Sequence, residues 1–293
     1  MYVPTLDELL QMRKEECADS EDRRRPLLPI CYDLLADMET PVSAYCKTAR
    51  GPYTKSGGYS FLLESIEGGE RIARYSFIGI DPYLVMTQRG DVATLNRLCV
   101  RGGSAAPVST EQIACYDPLD FIQAELGQYR LIRPASMAQD KLPSFYGGAV
   151  GYLAYETSAH FERLPVPEHD EIGLPLAMFC FTETVLAFDQ LKRRVRIVTH
   201  LHLDAPDLEA EYRRTLDLIE DVRERLRQEP RLPEEPAPAK DFCAAGVSSN
   251  RTPAQFEAMV ERAQENIRAG DIFQVVLSQR LSRHVGAAPF TVY

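Results

Sequence analysis

The feature that most limits how this chain can fold is the stretch QEPRLPEEPAPAKD, residues 228–241. Its prolines and acids cannot bury a face, so it is expected to be an exposed linker. The 293-residue chain then falls into 1–227 and 242–293. The first part is long enough for a sizeable core. The second holds one helix and one strand, too little for a stable core alone. The expectation is an N-terminal domain, a linker, and a second domain that is only begun.

Before the linker, apolar alternation and turn residues predict strands with helices inserted among them. The segment TLDE, Thr5 to Glu8, has the form of a capping box opening a helix through Leu9, Leu10 and Met12. One strand and one short helix fit RRRPLLPICYDLLADMETPVSAYCKT. A hairpin around Gly68-Gly69 fits Tyr59 to Ile80, and a second strand pair around Arg89-Gly90-Asp91 fits YLVMTQRGDVATL. Asp117 should cap a helix over 117–130 that buries Phe121, Ile122 and Leu126. Gly147, Gly148 and Gly151 interrupt a strand-like run, where glycine marks a bulge or a close backbone approach. LPLAMFCFTETVLAFDQLKRRVRIVTHLHL reads as two long strands meeting at Asp189–Arg193, with a helix from about Pro206 to Arg227 behind them.

Past the linker, Thr252 and Gln255 form a capping box for a helix burying Phe256, Met259, Val260, Ala263 and Ile267 and stopped by Gly270. A strand should then run through DIFQVVLSQRLSR. Hairpin connections throughout set the fold class: α+β, with largely antiparallel sheets and packed helices.

Charge and cysteine usage exclude several functions. With 33 basic against 43 acidic residues and a net charge of -10, a nucleic-acid surface is not expected. No apolar run reaches the length of a membrane span, and the N-terminus lacks a secretion signal. Seven cysteines form an odd set without a C-x-x-C pair, which fits reduced thiols in the cytoplasm. His200 and His202 read as strand-face residues, and no residue is assigned as a metal ligand.

Glu64 and Ser65 sit side by side where a plain strand would prefer Val or Thr. In a hairpin with a Gly68-Gly69 loop, Glu67 opposes Glu70, Ile66 opposes Arg71 and Ser65 opposes Ile72. Glu64 then lies diagonal to Arg71, and Ser65 diagonal to Arg74. From spacing alone the plainer reading is favoured: an exposed Glu64–Arg71 pair worth under about 1 kcal/mol, with Ser65 incidental. The other reading is a site for a small zwitterion. Glu64 and Ser65 would accept from its ammonium and Arg74 would donate to its carboxylate, amid Phe61, Leu63, Tyr75 and Phe77.

The blocks LLESIEGGERIARYSFIGIDP, YGGAVGYLAYE and IRAGDIFQVVLSQR, with ETPVSAYCK upstream, resemble component I of the anthranilate synthases, in the chorismate-utilising enzyme family. They occur in that family's order and span nearly the whole chain. The resemblance implies conversion of chorismate and ammonia to anthranilate and pyruvate. It also implies bound Mg2+ and a glutamine amidotransferase subunit (component II) that supplies the ammonia. In that family the LLES element belongs to a feedback site for L-tryptophan, which makes Ser65, then Glu64, then Arg74 the expected contacts and reverses the plainer reading.

The same resemblance singles out Gln274, at a position matching a water-activating lysine of isochorismate-forming relatives. A glutamine amide cannot act as a base, which suits ammonia as the nucleophile. The family's magnesium carboxylates, catalytic histidine and most chorismate contacts lie in a C-terminal stretch this chain lacks, so it is expected to be inactive alone. Two alternatives stay open: component I of aminodeoxychorismate synthase, and a non-catalytic tryptophan-binding or partner-docking fragment.

Overall fold

The computed structural model describes residues 2–18, 22–49, 58–65, 74–98, 107–134, 136–137, 142–164, 170, 172–230, 246–285 and 289–293. The chain divides into two compact units, 1–231 and 232–293. The first unit begins with α1 (Leu6–Ala18), β1 (Arg25–Leu35) and α2 (Pro41–Thr48). Strands β2 (Phe61–Leu63), β3 (Tyr75–Ile80), β4 (Leu84–Arg89), β5 (Val92–Leu98) and β6 (Pro107–Ala114) follow. Next come α3 (Pro118–Gly127), β7 (Tyr129–Leu131), β8 (Gly148–Leu153) and a 3-10 turn at Tyr155–His160. The unit closes with β9 (Ala177–Thr182), β10 (Thr184–Asp189), β11 (Arg194–His202) and α4 (Leu208–Arg227).

These strands make a six-stranded sheet, order β2-β3-β10-β11-β1-β7, and a five-stranded sheet, order β6-β5-β4-β9-β8. Every pairing is antiparallel except β1 with β7. The expected α+β class is what forms.

The corner between the sheets departs from expectation. The first of the two long strands breaks at Glu183, so that β9 belongs to one sheet and β10 to the other. Thr182 and Thr184 turn it. Thr182 Oγ1 lies 3.1 Å from the Ile80 carbonyl and 2.9 Å from the Thr184 carbonyl, and accepts the Thr184 N–H at 3.3 Å. The buried Thr184 hydroxyl meets that of Thr199 at 3.0 Å. Buried hydroxyls need partners, and here Thr182 finds them in the backbone of the bend and Thr184 in Thr199.

One face of the six-stranded sheet is covered by helices. Leu28, Ile30, Ile78, Ile80, Leu186, Ile197 and Leu201 pack there against Leu9 of α1, Ala44 of α2, and Ile219 and Val222 of α4. Alternation along β1, β3, β10 and β11 sends the remaining residues to the opposite face, helix-free among the described residues. The five-stranded sheet has its own core of Leu84, Met86, Leu95 and Phe181, with Phe121 and Ile122 of α3 packed against it. Leu126, expected in that buried face, is 37% exposed.

Helix starts follow their signals unevenly. Thr40 and Ser43 form a full capping box on α2, and Asp117 and Asp207 cap α3 and α4. At α1 only half of the expected box forms. Thr5 Oγ1 accepts the Glu8 N–H at 3.4 Å, but the Glu8 carboxylate accepts from the Ser136 N–H at 3.3 Å instead.

In the β2–β3 pair, Leu63 opposes Phe77 and Leu62 opposes Ile78. The expected Gly68-Gly69 register would have set Leu63 against Arg74, so the ladder is shifted by three. The helix-covered core decides it, because Leu62 and Ile78 must point to the same buried side. The loop itself lies outside the described residues, as do Ile66, Glu67, Glu70, Arg71 and Ile72.

The second unit contains β12 (Val247–Ser249), α5 (Pro253–Ala269), β13 (Leu281–Arg283) and α6 (Pro289–Val292). The Thr252/Gln255 capping box and the left-handed Gly270 cap, φ 82°, form as the sequence indicates. The expected burial does not, since no residue of α5 is buried and Ile267 is 43% exposed. The expected strand over 271–283 shrinks to Leu281–Arg283, paired with β12. A strand exists only where a neighbour satisfies its backbone, and within the described residues 271–280 have no ladder partner. Among the described residues no helix is long and apolar enough to cross a membrane.

The α4 end of the first unit rests on a buried guanidinium. Arg225, 2% exposed, reaches Asp81 Oδ2 and Asp221 Oδ2, each at 2.7 Å, and donates to the Thr48 carbonyl at 3.2 Å. It ties α4 to α2 and to the turn after β3. Replacing it takes the guanidinium away from the buried Asp81 carboxylate. Arg225→Ala is expected to lower unfolding free energy by about 3–5 kcal/mol in urea denaturation.

Candidate functional site

Of the residues singled out from sequence, Glu64, Ser65 and Arg74 lie at the β2–β3 edge of the six-stranded sheet, and Gln274 lies in the second unit. Glu64 and Ser65 follow β2 directly, both half-buried. The Ser65 N–H donates to the buried Ser76 hydroxyl at 3.3 Å, which holds the chain beyond β2 against β3. Nearby, the hydroxyls of Tyr45 and Ser60 meet at 3.0 Å.

From β3, alternate residues Tyr75, Phe77 and Gly79 face away from the helices. Tyr75 and Phe77 stack at 5.9 Å, and Phe77 meets Phe145 edge-on at 5.6 Å. Phe61 meets Phe145 edge-on at 6.2 Å. Its ring lies over Gly79, where a Cβ would come within 2.0 Å of Phe61 Cε1. A glycine there is what lets the ring lie flat on the strand. The result is a row of aromatic rings along β2 and β3.

Arg74 stands at the start of β3, but its guanidinium turns to Asp189. Nε and Nη2 fork onto the two carboxylate oxygens at 3.0 and 2.6 Å, and the plane lies 4.8 Å over the Tyr75 ring. The structure thus joins Arg74 to Asp189 across the sheet. Sequence spacing could not find Asp189, 115 positions away.

Asp189 borders a cavity of about 490 Å³ whose lining includes Tyr75, Cys31, Asp33, Met137, Lys192 and Arg196. Arg196 forks onto Asp33 at 2.6 and 2.6 Å, with Arg194 at 3.9 Å. Burial pushes the Cys31 thiol up to about 12, with Arg196 lowering it only weakly, so it is no nucleophile at neutral pH. This cavity carries paired ions rather than a reactive group.

Gln274 lies in the second unit, exposed and outside any strand. The strand expected through DIFQVVLSQRLSR is not formed around it, and Val276 is 82% exposed. As to magnesium, among the described residues no group of three or more His, Cys, Asp or Glu side chains could hold a metal ion. The described residues therefore offer no ligand cluster for that ion.

Burial raises the Asp189 carboxyl, but the Arg74 fork and the Lys192 N–H, 3.1 Å away, outweigh it and hold the group below its ordinary value. A folded-state value below the unfolded one adds stability that is present above about pH 4 and is lost as pH falls through the folded value. Asp189→Asn is therefore expected to cost about 1 kcal/mol between pH 6 and 8. That difference should shrink on acidification below about pH 4, read from urea unfolding at each pH.

Comparison with known proteins agrees with the blocks in the sequence. A family model described as chorismate binding enzyme matches residues 60–293. Anthranilate synthase component 1 of Acetivibrio thermocellus is 34% identical over 296 residues, covering 100% of this chain and 54% of that protein. Its counterpart in Synechocystis sp. is 37% identical over 277 residues, covering 91% and 50%. The crystal structure of anthranilate synthase component I from Streptococcus pneumoniae aligns with TM-score 0.50 and 26% identity, over 88% of this chain and 50% of that one. The chain spans about half the length of the relatives it matches. It shares the fold of that solved structure and belongs to the family of chorismate binding enzymes.

Proposed function

We propose that this protein serves as component I of an anthranilate synthase. Chorismate and ammonia would give anthranilate with loss of pyruvate and water, and a glutamine amidotransferase subunit would supply the ammonia. The observation carrying this reading is that relatives named for that enzyme are 32–37% identical to this chain over 91–100% of its length. Family membership supports a chorismate-binding role, and the proposal extends it to magnesium dependence. The buried free thiols Cys31 and Cys115 support placing the protein in the cytoplasm.

Within this reading Glu64 and Ser65 hold the ammonium of L-tryptophan as feedback inhibitor, and the rings of Phe61, Tyr75 and Phe77 flank its side chain. Arg74, forked onto Asp189, serves by stacking on Tyr75 and donates to the ligand carboxylate only on leaving that fork. In the second unit Gln274 contributes an amide that cannot deprotonate water, which leaves ammonia as the attacking group.

Calorimetric titration with L-tryptophan tests the regulatory part. One site per chain is expected, with Glu64→Gln and Ser65→Ala each weakening it about tenfold or more, a loss of about 1.4 kcal/mol. Heats that indicate no site tighter than about 1 mM, or variants that bind like the parent, would contradict it.

A further inference from the structure

At the corner between the two sheets lies a second cavity, of about 330 Å³. Its walls include the rings of Tyr83, Tyr129, Phe145 and Tyr146, and Glu183, His200 and His202 also line it. That volume and mixture are typical of small-molecule sites.

The polar groups are unevenly matched. The Glu183 side chain is 19% exposed, and its nearest cationic neighbours are His202 Nε2 at 3.6 Å and Arg214 Nη1 at 3.7 Å. Both lie beyond the usual length of an N–H···O bond. Arg214 is already forked onto Glu211 at 2.8 and 2.7 Å, and Arg25 is bound to Asp204 at 2.9 Å. Arg214 is thus shared between Glu183 and Glu211 and lies nearer Glu211.

The histidines add acceptors. His200 Nδ1 lies 2.9 Å from the Glu183 carbonyl, which can only accept, so Nδ1 carries the proton and Nε2 keeps a lone pair. Burial lowers the His200 value and keeps the ring neutral. His202 Nδ1 is buried without a hydrogen-bond partner. When His202 Nε2 carries the proton towards Glu183, Nδ1 is a bare acceptor. The ring of His200 is built into the wall, since a Cβ on Gly147 would fall 2.5 Å from its Cε1.

We propose that this cavity binds a small organic ammonium ion, a primary amine on an aromatic or branched apolar body. Three N–H donors answer the Glu183 carboxylate and the histidine nitrogens, and the positive charge meets aromatic faces. The lining includes neither Glu64 nor Ser65, so the site is separate from the tryptophan reading and does not rest on it.

Benzylamine is the probe, titrated calorimetrically at pH 8 beside benzyl alcohol and phenylacetate. Benzylammonium is expected to saturate one site, with benzyl alcohol at least tenfold weaker and phenylacetate silent. Glu183→Gln should weaken benzylammonium at least tenfold. Leu126→Trp, which fills the lining and leaves the charge in place, should do the same and decides the matter if the Gln variant fails to fold. Saturating L-tryptophan should leave the titration unchanged. Absence of binding, equal affinity for the alcohol, indifference of a folded variant, or displacement by L-tryptophan would each overturn the proposal.

Discussion

The bend at Thr182-Glu183-Thr184 is the constraint on which the first unit depends. One run of chain leaves the five-stranded sheet as β9 and enters the six-stranded sheet as β10, and there the Thr182 hydroxyl is consumed by the backbone while that of Thr184 meets Thr199. That bend places Glu183 at the mouth of the angle between sheets, where a strand residue would otherwise lie against a neighbour. It also fixes β10 between β3 and β11, so every side-chain row on the helix-free face follows from it. Had the strand run straight, Tyr75, Asp189 and Phe145 would not share a surface.

The helix-covered side and the helix-free side do different work. The covered side is filled by aliphatic residues and sealed at the end of α4 by the buried Arg225 cluster, which suits a scaffold. The open side carries aromatic rows, forked ion pairs and two cavities, which suits recognition. Such a division lets the covered side hold the geometry while the open side varies its contacts. The family match, which starts at residue 60, takes in β2, β3 and the whole corner.

Much of the fold was legible because its signals are local. Capping residues marked the starts of α3 and α5, helical periodicity marked α4, and alternation marked β4, β5, β10 and β11. What escaped the sequence was long-range. Apolar alternation runs unbroken from β9 into β10, so the bend left no mark except the polar trio at its centre. The β2–β3 register hung on a helix layer that the hairpin does not contain. The polar edge strand β6, PVSTEQIA, offers no alternation to read. Of the site residues, Glu64 and Ser65 stood out by type and by their block, whereas Arg74 found its partner across 115 positions. Gln274 was placed on a strand whose pairing is absent among the described residues, so its setting could not be read from alternation.

The central claim is that the helix-free face near β2 and β3 recognises a ligand while the helix-covered face supports it. Fluorine NMR of fluorophenylalanine-labelled protein, titrated with L-tryptophan, addresses that division directly. The account predicts saturable shifts at Phe61 and Phe77 with Phe188, in the helix-covered core, unchanged. Shifts confined to Phe188, or a spectrum indifferent to the ligand, would contradict it.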